Sequence, residues 1–132
     1  MTQAPKQLSD TATTGGCLCG AVKLETSGSP KRVGICHCRD CRKHHGALFF
    51  AAAVFASNQV TITGETNSFR GRHFCPTCGS SVYAVSDEEV EVHLGVLDHN
   101  SPWTPSYELW CVRRAPWLTA IQGATQHPRK RS

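Results

Sequence analysis

Seven of the eight cysteines in this 132-residue chain fall into three tight groups, Cys17-x-Cys19, Cys36-x-Cys38-x-x-Cys41 and Cys75-x-x-Cys78. Thiolates two or three residues apart can turn toward a common point, as a tetrahedral zinc ion with Zn–S bonds of about 2.3 Å requires, and two such pairs close a shell of four sulfurs. The seven divide into four plus three. A closed four-sulfur shell is the structural kind of zinc site, whereas three protein ligands leave a position that admits water or substrate. The spacing therefore predicts one ion for stability and one for chemistry. A disulfide framework is the competing reading, since eight cysteines permit about 105 pairings. Cysteines one residue apart cannot readily bond each other, clusters of this kind do not resemble bridges across long loops, and residues 1–16 carry no apolar segment of a secretory signal. The expectation is a cytoplasmic, reduced and metal-binding chain.

The middle group has three sulfurs and no fourth cysteine beside it. His37, His44, His45 and His73 are candidates to complete it, although a lone histidine is more often a hydrogen-bonded or surface residue than a ligand. Cys111 is another, in the apolar run Leu109-Trp110-Cys111-Val112, where a small buried thiol is the commoner role. The position can equally stay open. Gly16 and Gly20 flank the first pair and Gly79 follows the third, which suits knuckles whose backbone N–H groups approach sulfur.

The elements that must position these groups read as short strands. In Ala21–Glu25 the alternation places Val22 and Leu24 on one face, and Ser27-Gly28-Ser29-Pro30 supplies a turn. Residues 32–37 form a strand that delivers Cys36, and residues 38–45 form a helical turn. Residues 48–55 are an unbroken apolar run of strand length, the mark of a central strand buried on both faces. Residues 60–63 and 68–70 follow, and strands 72–74 and 81–85 carry the third cysteine group at the tip of a hairpin. Val90, Val92 and Leu94 alternate with Glu91 and His93, which predicts a half-buried strand. Residues 107–112 and 117–121 are the last strand candidates, and the class is mainly β, with small sheets meeting at metal knuckles.

Composition bounds the rest. The length suits one domain, and no apolar run approaches the ~20 residues that span a bilayer. Residues 1–15 have little to bury and are expected to be disordered, residues 16–122 to form the zinc-binding domain, and residues 123–132 to be a basic solvated tail. The formal charge of +4 owes three charges to Arg129, Lys130 and Arg131, and loading seven thiolates with two divalent ions brings it to about +1. No aromatic platform is interleaved with the basic residues, so nucleic acid is not expected as a partner.

Gly16-Cys17-Leu18-Cys19-Gly20, Cys36-His37-Cys38-x-x-Cys41-Arg42-Lys43, Phe74-Cys75-x-x-Cys78-Gly79 and then Trp110 and Trp117 resemble, in order and spacing, the glutathione-dependent formaldehyde-activating enzyme family, also called the CENP-V/GFA domain. The resemblance runs from Gly16 to about Ile121. It implies a β-tent fold of small antiparallel sheets, a structural zinc on Cys17, Cys19, Cys75 and Cys78, and a catalytic zinc on Cys36, Cys38 and Cys41. It also implies a carbon–sulfur lyase-type activity on a thiol adduct of a small aldehyde, with glutathione as the thiol partner and S-hydroxymethylglutathione as the product. Arg39, Arg42, Lys43, Arg70 and Arg72 are candidates to meet the carboxylates of such a thiol, each weighed against the commoner role of surface charge. The alternative is a non-catalytic zinc-binding interaction module of the same fold.

Overall fold

The computed structural model describes residues 12–131. Eleven strands, β1 (Thr13–Gly16), β2 (Lys23–Thr26), β3 (Arg32–Cys36), β4 (Phe50–Ala56), β5 (Val60–Thr63), β6 (Asn67–Phe69), β7 (Arg72–Phe74), β8 (Ser81–Ser86), β9 (Glu89–His93), β10 (Tyr107–Leu109) and β11 (Thr125–Gln126), accompany one short helix, α1 (Arg39–His45). They form a three-stranded sheet ordered β1-β2-β5 and an eight-stranded sheet ordered β11-β10-β3-β4-β9-β8-β7-β6. The mainly β class expected from the alternation is the class observed. Pairing is antiparallel except where β10 lies parallel to β3 and to β11. Among the described residues no helix is long and apolar enough to cross a membrane.

The core lies between the two sheets. Val22 and Leu24 from one side meet Val33, Ala53, Phe55, Val82, Val90 and Val92 from the other, with Trp103 edge-on to Phe55. Because strand side chains alternate, the residues between these face away from the core. On β4 and β9 those are Ala52 and Val54, opposite His93 and Glu91, and Cys36 stands opposite Phe50 at the end of β3. The second face of the large sheet is thus a platform on which α1 rests, and it positions the site.

Several boundaries differ from expectation. Order begins before Gly16: Thr13–Gly16 pairs along its length with β2, and Gly15 also bridges to Leu97. Residues 1–11 of the expected disordered segment lie outside the described residues. The strand over 107–112 stops at Leu109, where Trp110 takes a left-handed φ of 56° and starts a 3-10 turn. Residues 117–121 form no strand: Trp117 is exposed in a turn and residues 118–121 are irregular.

The backbone of the C-terminal segment is paired, while Arg129, Lys130 and Arg131 are exposed. Thr125–Gln126 adds to the edge of β10, and the carbonyls of His127, Pro128 and Arg129 accept from the N–H groups of Cys111, Val112 and Trp110. β10 and the 3-10 turn after it offer these backbone partners, and pairing with them leaves the basic residues in water. His93, expected on a wetted strand face, is only 4% exposed because β9 is a central strand with α1 above it.

Candidate metal centres and the cleft beside them

The first centre joins the two sheets. Cys17 and Cys19 lie in the turn between β1 and β2, and Cys75 and Cys78 lie in the turn between β7 and β8. Their four sulfurs fall within 4.8 Å of one another. The Sγ–Sγ separations are 3.7 Å for Cys17–Cys19 and 3.8 Å for Cys19–Cys75. A tetrahedron with Zn–S bonds of about 2.3 Å has edges of about 3.8 Å, so the spacing fits a metal and is far too long for S–S bonds of about 2.0 Å. Backbone N–H groups donate to the sulfurs: Val22 to Cys17 at 3.2 Å, and Thr77 and Cys78 to Cys75 at 3.4 and 3.5 Å. The hydroxyl and backbone N–H of Ser80 hold the Cys78 thiol down to about 5, which favours the thiolate a metal needs. Ser80 also accepts from Leu18 N–H at 2.9 Å, locking one knuckle to the other.

The second centre is local. Cys36 ends β3, Cys38 is the N-cap of α1, and Cys41 sits in its first turn. Extended backbone at Cys38, with its sulfur accepting from Cys41 N–H at 3.3 Å, turns the chain so that all three sulfurs converge within 4.8 Å. A hydrogen bond from Cys41 holds Cys36 down to about 6, while sharing that proton and burial push Cys41 well up. Three sulfurs this close resist becoming thiolates together without a cation among them.

No candidate fourth ligand joins this group among the described residues. His37 turns away and is buried, its Nε2 2.7 Å from Glu108 Oε1. His44 packs edge-on to Phe74, and His73 stacks on Tyr83 with its Nδ1 2.9 Å from Thr66 Oγ1. Cys111 lies in the 3-10 turn after β10, 3.3 Å from both Gln126 Oε1 and Arg114 Nη2. His45 comes nearest to the expected role, since it lines a cleft with Cys36 and Cys41.

That cleft has a volume of about 250 Å³, and its other walls include His93, Glu91, Arg70 and Arg72. His45 stacks on Phe50 with ring centroids 4.6 Å apart and meets His93 edge-on at 4.5 Å. Burial, helped by neighbouring positive groups, pushes His45 down to about 4 and His93 down to about 3, so both are neutral near pH 7. Burial raises Glu91. Larger hollows lie elsewhere: one of about 440 Å³ beside α1 is lined by Arg39, Arg42 and Lys43 but holds no sulfur, so size alone does not mark the site.

The single-residue motifs of the sequence could not single out Glu91, His93 or Glu108, which matter through strand partners far along the chain. Glu108 is 2% exposed and binds His37 Nε2, Arg114 Nη2 at 3.2 Å, Ile121 N–H at 2.7 Å and Gln126 Nε2 at 3.1 Å. Burial works against its charge, but these donors outweigh it and hold the carboxyl at about 2. It ties the loop that carries Cys36 and Cys38 to the C-terminal segment.

Residues 12–113 match the family described as glutathione-dependent formaldehyde-activating enzyme. A Schizosaccharomyces pombe protein named as an uncharacterized lyase is 31% identical over 74 residues, which is 52% of this chain and 54% of that protein. The chain thus matches about half the length of this curated relative. A crystal structure of a Rhodobacter sphaeroides protein is similar with a TM-score of 0.53 and 26% identity, covering 67% of this chain and 91% of the other.

Proposed function

Because the chain belongs to the glutathione-dependent formaldehyde-activating enzyme family, we propose that it is a zinc-dependent carbon–sulfur lyase-type enzyme acting on a thiol adduct of a small aldehyde. In this reading Cys17, Cys19, Cys75 and Cys78 hold a structural ion, and Cys36, Cys38 and Cys41 hold a catalytic one. The observation that carries it is the contrast between the two centres. The first is completed by four converging sulfurs, whereas two of the second centre's three sulfurs border a cleft and no fourth protein ligand joins them among the described residues.

Zinc in the second centre would lower the pKa of a bound thiol and polarise a carbonyl oxygen. Three thiolates leave such a site formally negative, which favours exchange of an incoming thiol over attack by hydroxide. The chain's own residues supply the rest. Cys38 and Cys41 are fixed by the first turn of α1, and His45 and Phe50 wall the cleft with stacked rings. Burial keeps His45 and His93 uncharged near neutral pH, so they wall the cleft as neutral rings that add no second cation to the site.

The test is metal quantification combined with turnover of glutathione and formaldehyde. Two equivalents of zinc and formation of S-hydroxymethylglutathione that is lost in Cys38→Ala are expected. Full metal loading with no turnover of any aldehyde and thiol pair would instead favour the interaction-module reading.

A further inference from the structure

One wall of the cleft is cationic and unpaired. Arg72 is half-buried on β7, and Arg70 occupies the turn between β6 and β7 at a left-handed φ of 53° followed by Gly71 at 79°. Such a turn matches the twist of the flanking strands, so both guanidinium groups are carried on a rigid hairpin. Among the described residues neither takes part in an ion pair, and neither side chain makes a hydrogen bond; Arg70 only lies over the ring of Phe69 at 5.1 Å. Glu91, the one carboxyl on the cleft wall, does not pair with Arg72. Arg72 stands opposite Ala84 and Ala84 opposite Glu91, so one strand lies between their backbones and Arg72 acts on the Glu91 carboxyl through space without an ion pair. A partly buried guanidinium facing a cavity with no partner is ready to bind an anion, because its planar fork matches a carboxylate.

Size narrows the class. The cleft's 250 Å³ falls below the ~300–1,000 Å³ typical of drug-sized ligand sites, yet contains both the Cys36 and Cys41 sulfurs and the two arginines. A molecule that touches both ends is small. We propose that Arg70 and Arg72 hold the carboxylate of a short mercaptocarboxylate, a thiol with its acid group a few bonds from sulfur, whose sulfur approaches the Cys36, Cys38 and Cys41 centre. This rests on the second centre being an open, thiol-exchanging metal site, and it names the ligand class of that site. On binding, the S–H bond breaks and its proton leaves to solvent, and the thiolate would take the metal's open position in place of water, with no change of oxidation state.

The test compares two ligands of equal length on the zinc-loaded protein by calorimetry, 3-mercaptopropionate and 3-mercapto-1-propanol. The acid should bind about tenfold or more tightly, as expected for a charge-assisted hydrogen bond at a partly buried site. In Arg72→Gln, and separately in Arg70→Gln, that ratio should fall toward one while zinc content and binding of the alcohol stay unchanged. If one variant folds poorly, the other carries the assignment, and the wild-type ratio tests the carboxylate preference by itself. Equal binding of the two ligands by wild type overturns the carboxylate subsite but leaves the open metal reading standing. A ratio that survives in both variants overturns the assignment to these arginines. Arginines that only offset the negative sulfur cluster would show as lost zinc with an unchanged ratio, which also overturns it. Failure of both thiols to bind sinks the thiol-exchange reading together with this one.

Discussion

Glu108 shows how much one buried side chain can organise. Its four donors come from separate parts of the chain, so Glu108→Ala leaves His37 Nε2 and the Ile121 N–H without their acceptor and removes one of the partners of Arg114. Removing one partner of a buried charged network typically costs about 3–5 kcal/mol, which should lower Tm by roughly 10 °C or more in a thermal melt. Glu108→Gln keeps part of the network and should fall between. His93 makes a different prediction. Its folded pKa is held at about 3 by burial, below the ordinary 6.5, so the unfolded chain takes up a proton that the folded one refuses. That contribution to stability is complete above 6.5 and is lost as pH falls from 6.5 toward 3, by up to about 1.4 kcal/mol per pH unit. In urea unfolding of the metal-loaded protein between pH 7 and pH 5, His93→Gln should show a shallower decline than wild type; parallel declines would show that His93 does not titrate on unfolding.

At the level of elements, two glycines with similar backbone separate torsion from crowding. Gly79 has φ +82° and open space where a Cβ would stand, whereas Gly64 has φ +97° and would place a Cβ 2.1 Å from the carbonyl oxygen of Ala21. Gly79→Ala should cost about 1 kcal/mol from the left-handed backbone alone. Gly64→Ala should cost at least about 2 kcal/mol more, because the end of β5 must back away from the Cys17–Val22 turn. Denaturant melts of the two variants check the difference. Much of this layer was legible in the residue pattern. Val22 and Leu24 and the turn after Cys36 lie where the pattern put them, and of the strand expected at 48–55 the part from Phe50 onward is observed, as β4. Of the cleft wall, Cys36, Cys41 and His45, with Arg70 and Arg72 as possible carboxylate partners, were readable in this way. Glu91 and His93 were not, because their meaning depends on which strand lies beside β9. The same holds at the C-terminus, where Arg129, Lys130 and Arg131 read as a solvated tail, but backbone pairing at the edge of β10 is a non-local event that composition does not encode.

For the molecule as a whole, the two cysteine centres should fail differently. Cys75 is fully buried at the junction of the two sheets, so if the four sulfurs there hold the proposed structural ion, Cys75→Ala should lose it and abolish soluble folding. A structural zinc contributes roughly 10–16 kcal/mol of apparent binding energy, comparable to the entire stability of an ordinary domain. Cys38→Ala should keep the far-ultraviolet circular dichroism of wild type and retain one equivalent of metal. Equal collapse of both variants would contradict the separation of roles. The placement of the sulfurs along the chain also sets an order of events during synthesis. Cys36, Cys38 and Cys41 emerge from the ribosome within six consecutive positions, whereas Cys19 must wait for Cys75, 56 residues later. A growing polypeptide can therefore capture its first ion at the local trio long before the long-range quartet exists. Where zinc is scarce, the local trio therefore competes for the ion first, and the quartet that joins the two sheets is the last to be completed.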